Sequence, residues 1–121
     1  MVNAYLTIDD APSDDTARKL EKLEERGIKA IFFCIGEEIK DYEEEVIQIL
    51  ENGHEIGNHT WSHPECSNLT VEQFERQVEK TELAIERVYR KAGLEREKKF
   101  FRFPYGDRAT QDHRDVLKSF G

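Results

Sequence analysis

The sequence predicts an α/β fold, a parallel sheet wound with helices in about four βα units. Strand-like and helix-like stretches alternate along the whole 121 residues, an order that asks for parallel strands joined by right-handed crossovers. Residues 30–35 (Ala30, Ile31, Phe32, Phe33, Cys34, Ile35) form an unbroken apolar run, as in a strand covered on both faces. The polar residues that stand out are Asp9 and Asp10, His59 and His63, Arg102 and Tyr105. All fall at the carboxyl ends of predicted strands, the face on which such sheets build their sites.

The first strand is expected over 2–8, where Ala4, Leu6 and Ile8 alternate with Asn3, Tyr5 and Thr7. It runs into Asp9-Asp10-Ala11-Pro12-Ser13, a turn-rich cluster. Ser13, Asp14 or Asp15 can cap the next helix, whose stripe is Ala17, Leu20 and Leu23 and whose stop is Gly27. The second strand covers 28–35 and closes at Gly36. A helix over about 37–52 turns Ile39, Val46, Ile49 and Leu50 inward and has Gly53 at its C′ position. Residues 54–58 make a short third strand. Thr70, with Gln73 placed for a capping box, opens a long helix with the stripe Phe74, Val78, Thr81, Ile85 and Val88, ended by Gly93. Past a charged linker at 94–99, residues 100–103 make a fourth strand, and a last helix covers about 110–120.

This length suits one compact domain with a real core, so 1–121 is read as a single domain. Charged residues are 36% of the chain and lie mostly on the predicted helices, giving a heavily solvated surface. Net charge is -8 with no long Lys/Arg block, which argues against nucleic acid and against anionic membrane surfaces. Two cysteines make no disulfide framework. Cys34 is expected in the core, and Cys66 as a free loop thiol. Met1 leads almost directly into strand-like residues, with neither signal-peptide pattern nor membrane span. As written the chain is expected in the cytoplasm, or outside it if a leader was removed.

The stretch that organises the chain is Asn58-His59-Thr60-Trp61-Ser62-His63-Pro64. Gaps of about three to five residues between histidines recur in zinc sites. Pro64 pushes His63 out of the helical region and Gly57 precedes the pair, so both sit on a loop. Alone, such a pair is more often two surface histidines, adjacent acids often only start a turn, Arg102 can simply neutralise an acid and Tyr105 can simply pack. Three separate loops placing acids, imidazoles and a cation on one rim are harder to explain that way.

Three blocks resemble the NodB-type polysaccharide deacetylases, carbohydrate esterase family four. Thr7-Ile8-Asp9-Asp10 is similar to the family's Thr-Phe-Asp-Asp, His59-Thr60-Trp61-Ser62-His63-Pro64 to its His-Ser/Thr-x-x-His-Pro, and Phe101-Arg102-Phe103-Pro104-Tyr105-Gly106 to its Arg-x-Pro-Tyr block. The likeness runs in the family's order over nearly the whole chain. It implies a distorted (β/α) barrel, here incomplete, since closing a barrel takes about eight strands. It also implies metal-dependent hydrolysis of the N-acetyl amide of an amino sugar. Asp10, His59 and His63 would be the metal ligands, for zinc or else cobalt or nickel. Asp9 would be the general base, Arg102 would hold it, and the Tyr105 N–H would help to stabilise an oxyanion. Thr60 would brace the histidine loop.

There are departures. Ala11 stands where the family usually has Gly, and Phe103 where it usually has Pro. The later blocks, an acidic segment that pairs with the arginine and a Leu-x-His block that supplies a general acid, have no match; His113 lies on a predicted surface helix and His54 at a strand start. The chain therefore resembles the first half to two thirds of a closed domain. The remainder is expected from a second copy, a complementing chain or a longer gene product. Two rival functions stay open: an amidase for a non-sugar amide or cyclic imide, and a metal-binding but inactive assembly module.

Overall fold

The computed structural model describes residues 6–121. Strands β1 (Leu6–Ala11), β2 (Ala30–Cys34) and β3 (Glu55–Asn58) form a parallel sheet in that order. Helix α1 (Thr16–Arg26) links the first two; α2 (Gly36–Asp41) and α3 (Glu43–Glu51) link the second and third. Helices α4 (Val71–Ala92) and α5 (Gln111–Lys118) follow.

Residues 2–5 of the expected first strand lie outside the described residues. Beyond Ile8 the strand does not turn, as expected, but continues through Asp9-Asp10-Ala11. Pairing passes from Ile8↔Phe32 to Ala11↔Cys34, so two residues of β1 stand against Phe33 alone. That is a bulge, and Asp10 absorbs it at φ +58. The left-handed residue is thus the aspartate; Ala11 sits fully buried beside it.

All of β2 is buried, as its apolar run predicts. Gly36 does not merely close that strand but opens α2, in a space where a Cβ would lie 2.3 Å from the Trp61 ring and 2.7 Å from Thr81 Oγ1. The helix expected over 37–52 is two helices, broken at Tyr42 (φ -124, ψ 42), whose hydroxyl donates to Asp14 across the fold at 2.8 Å. Ile39, Val46, Ile49 and Leu50 are nevertheless all buried. In α1, Leu20 and Leu23 face the core, but Ala17 is exposed and Thr16 takes the buried place beside them. No side chain caps that helix; the Thr16 hydroxyl instead accepts from the Ser13 N–H at 2.9 Å.

The long helix has the expected ends: a full capping box between Thr70 and Gln73, and Gly93 at φ +70. Its five-residue stripe is buried throughout. The C-terminal part of that stripe, Ile85 and Val88, joins the core under the sheet, and its N-terminal part, Phe74 and Val78, forms a second core with Cys66, Phe101, Phe103, Leu117 and Phe120. Three residues are more buried than their sequence context suggests. Cys66 is a free thiol, as expected, but a fully buried one, and burial pushes it up to about 12. His113 faces inward, with its ring nitrogens on Thr110 Oγ1 and the Leu69 carbonyl, both at 2.7 Å, and its edge on Phe74. Within the charged linker, Arg96 is buried in a two-point ion pair with Glu82, both contacts at 3.1 Å.

The fourth strand does not form. Phe101 makes only an isolated parallel bridge to Asn58, with Asn58 N–H donating to the Phe100 carbonyl at 2.8 Å and Arg102 N–H to the Asn58 carbonyl at 3.0 Å. Pairing cannot spread, because β3 ends at Asn58 on its way to a left-handed Thr60 and Pro104 has no N–H. The segment still lies where a fourth strand would. No helix among the described residues is long and apolar enough to cross a membrane.

Two predictions follow from this packing. At Gly57 a Cβ would sit 2.8 Å from the Phe33 ring and 2.9 Å from Phe100 Cβ. Gly57→Ala is expected to cost about 1–3 kcal/mol in urea unfolding, because neither neighbour can retreat. His54 Nδ1 accepts the Ala30 N–H at 3.1 Å and so is neutral, and burial first, then Lys29, holds its imidazole below the usual range. The unfolded chain binds that proton more readily, so the stabilisation is present above about pH 6.5 and is lost as pH falls below it. His54→Gln should flatten stability against pH between roughly 7 and 5, read by thermal unfolding.

Candidate functional site

The six residues singled out in the sequence, Asp9, Asp10, His59, His63, Arg102 and Tyr105, line one open cleft of about 650 Å³. Asp10 comes from the β1 bulge, the histidines from the loop after β3, and Arg102 and Tyr105 from the segment beside Asn58.

Asp10 Oδ1 lies 3.2 Å from His59 Nε2 and 3.0 Å from His63 Nε2. One donor atom from each residue falls within 4.8 Å of the others. His59 Nδ1 is 2.7 Å from the Arg102 carbonyl, which can only accept, so Nδ1 carries the proton and Nε2 offers a lone pair. A carboxylate oxygen facing the Nε2 lone pair of His59 needs positive charge between them. Two imidazole nitrogens and one carboxylate, spaced as ligands of a shared ion with bonds of roughly 2 Å, fit a divalent cation. The side chain of His59 is 3% exposed, that of His63 21% and that of Asp10 59%, so such a site stays open on one side, as catalytic metal sites do.

Asp9 is held separately. Arg102 Nη1 donates to its Oδ1 at 2.9 Å and to Thr7 Oγ1 at 3.2 Å, while the guanidinium lies 4.5 Å over the Phe33 ring. Arg102 therefore serves twice: its side chain fixes Asp9 and its carbonyl fixes the tautomer of His59. Tyr105 takes φ +60 in the Pro104–Gly106 turn and sets its ring edgewise on His63, centroids 4.6 Å apart. Thr60 Oγ1 donates to the His59 carbonyl and accepts the His63 N–H at 3.2 Å. Thr60 and His63 both have φ near +60.

One functional residue was not singled out from the sequence. Asn58, 1% exposed, accepts the Thr60 N–H on Oδ1 at 2.9 Å and donates to the Val78 carbonyl at 3.0 Å and to Glu82 at 3.1 Å. An amide side chain at the last residue of a short buried strand, just before a histidine, was the signal. His54 and His113 lie away from the cleft, in the contacts given above.

The model of the polysaccharide deacetylase family matches residues 3–121. The chain is 39% identical over 103 residues to the peptidoglycan-N-acetylglucosamine deacetylase of Bacillus cereus, covering 84% of this chain and 36% of that protein. It is 37% identical over 84 residues to a chitooligosaccharide deacetylase of Rhizobium leguminosarum bv. trifolii, covering 69% and 39%. It superposes on the crystal structure of a pseudoenzyme of the same esterase family from Bacillus anthracis with a TM-score of 0.84, at 26% identity over 96% of this chain and 40% of that one. The chain thus spans less than half the length of these three proteins. Its parallel sheet and outer helices are an incomplete (β/α) barrel of their kind. A match over nearly every residue, on a fold and a rim that agree with it, places the chain in the polysaccharide deacetylase family.

Proposed function

We propose that this chain carries the metal and base half of a hydrolase that removes the N-acetyl group from an amino sugar. The observation behind it is the convergence of Asp10, His59 and His63 on one point, with Asp9 on the same rim but held by a different partner. The first three would hold a divalent ion, zinc before cobalt or nickel, which when bound supplies Lewis acidity toward the amide carbonyl and lowers the pKa of water toward ~7.

Asp9 is the base that takes the proton of the attacking water. Arg102 keeps that carboxylate aimed, and the Phe33 ring beneath limits where the guanidinium can swing. The Tyr105 N–H donates to the oxygen on which charge develops, a contact worth roughly 3 kcal/mol. The tyrosine ring walls the cleft beside His63. The C–N bond then breaks, the amine nitrogen receives the proton that Asp9 took from water, acetate leaves, and the sugar keeps a free amine. The openness of the cleft suits a polymer lying across it, and the relatives are named for peptidoglycan and chitooligosaccharide, so an N-acetylated glycan is the substrate class. A second reading, a metal-binding but inactive module, is favoured by the likeness to a pseudoenzyme.

Acetate release from N-acetylglucosamine oligomers should require added zinc or cobalt, cease with a chelator and return when metal is restored. Asp9→Asn should lower kcat by roughly 10²–10⁴ and leave metal affinity within a few-fold, because Asp9 is not among the ligands. One ion bound per chain with no acetate released from any glycan would select the inactive module.

A further inference from the structure

We infer that Gln77, on the outer side of α4, is a positioning residue for the metal centre and sets the separation of His59 and His63. Its carboxamide oxygen accepts two successive N–H groups at the apex of the histidine loop, Trp61 at 2.8 Å and Ser62 at 3.0 Å. Its amide nitrogen donates to Ser62 Oγ at 2.9 Å. The carbonyls of the same apex are taken from the opposite side, Thr60 by the Gly36 N–H at 2.9 Å and Trp61 by the Glu37 N–H at 3.0 Å. The apex is therefore clamped between α2 and α4, with N–H groups on one helix and C=O groups on the other.

The clamp bears on the ligands because of what stands at either end of it. Thr60 and His63 are left-handed, at φ +67 and φ +59, which non-glycine residues hold only when the surroundings over-determine them. Without Gln77, two N–H groups of a half-buried loop lose their acceptor, and the chain between the imidazoles can relax to ordinary backbone angles. His63, the less buried of the pair, is the ligand that would swing away. Gln77 itself sits at α4's fixed register, because the Thr81 hydroxyl bonds its carbonyl at 2.9 Å and Val78, one residue on, is buried in the second core. It touches no reacting atom. Its effect on chemistry runs through the loop.

The inference rests on the metal reading above, and its test keeps the two apart. Zinc and cobalt binding is measured by calorimetry on the intact chain, with the cobalt spectrum as a second readout, for wild type, Gln77→Met, Gln77→Glu and the remote core variant Ile49→Val. Gln77→Met fills the same space without an acceptor and is expected to weaken binding about 10–100-fold, the usual loss when a partner behind a metal ligand is removed. Gln77→Glu keeps both accepting bonds, with the Ser62 hydroxyl now donating, and should stay within a few-fold of wild type. Ile49→Val should lower the melting temperature and leave affinity unchanged. The inference is overturned if Gln77→Met binds as tightly as wild type, if Gln77→Glu loses as much as Gln77→Met, or if Ile49→Val loses affinity too. Failure of the wild type to bind either metal would instead sink the metal reading, and this inference with it.

Discussion

The side-chain amide of Asn58 is the joint on which the site hangs. Burying an amide costs several kcal/mol unless its hydrogen bonds are made, and here its oxygen and nitrogen are both committed, to the histidine loop on one side and to α4 on the other. Its backbone pairs at the same time with the Phe100–Arg102 stretch. One residue thus ties the end of the sheet, the histidine loop, the long helix and the arginine segment together. Behind it stands Glu82, itself held by Arg96 with a side chain 3% exposed. Glu82 gives up hydration to accept from Asn58 and is compensated by that bidentate partner, with Lys99 4.0 Å from its other side-chain oxygen. The linker that reads as loose charge in the sequence is the anchor of the network.

Electrostatics divides the two aspartates into separate tasks. Asp9 sees a guanidinium that is charged at any working pH, and Asp10 faces two imidazole nitrogens. The cation stands on one aspartate and the imidazoles on the other, within a single cleft.

Much of this was legible in the residues. The histidine spacing, the Thr70 and Gln73 box and the glycines that end α1 and α4 are local codes in which a few neighbouring residues decide the outcome. The apolar run of β2 likewise needed no tertiary knowledge. What was not legible depends on contacts made at long range. The bulge in β1 exists because pairing resumes at Ala11↔Cys34, which lies in a different strand. The inward turn of His113 depends on the Leu69 carbonyl, and the burial of Cys66 on aromatic rings more than thirty positions away in the chain. Phe100 to Phe103 have every strand preference, yet the pairing strand runs out beneath them. Asn58 and Gln77 are polar residues whose value lies wholly in what they meet.

Backbone strain is concentrated where the chemistry would be. Among the described residues, the non-glycine ones with positive φ are Asp10, Thr60, His63, Tyr105 and Ala109, and the first four bear on the cleft. Each costs of order 1–3 kcal/mol, and glycine would remove that cost. At Asp10 the strain does something glycine cannot. Successive side chains on a regular strand point to opposite faces, so Asp9 and Asp10 could not both reach one rim from a straight β1. A left-handed turn at the second of them, spent as a bulge, brings its carboxylate round beside the first. At Thr60 and His63 the same conformation folds a five-residue loop tightly enough for both imidazoles to meet a single oxygen. Glycine at either position would permit that shape without enforcing it, and would take away a hydroxyl or an imidazole. The strain is held by hydrogen bonds from Asn58, Thr60 and the two flanking helices, which is why the rigidity of the centre resides in residues that never touch its contents.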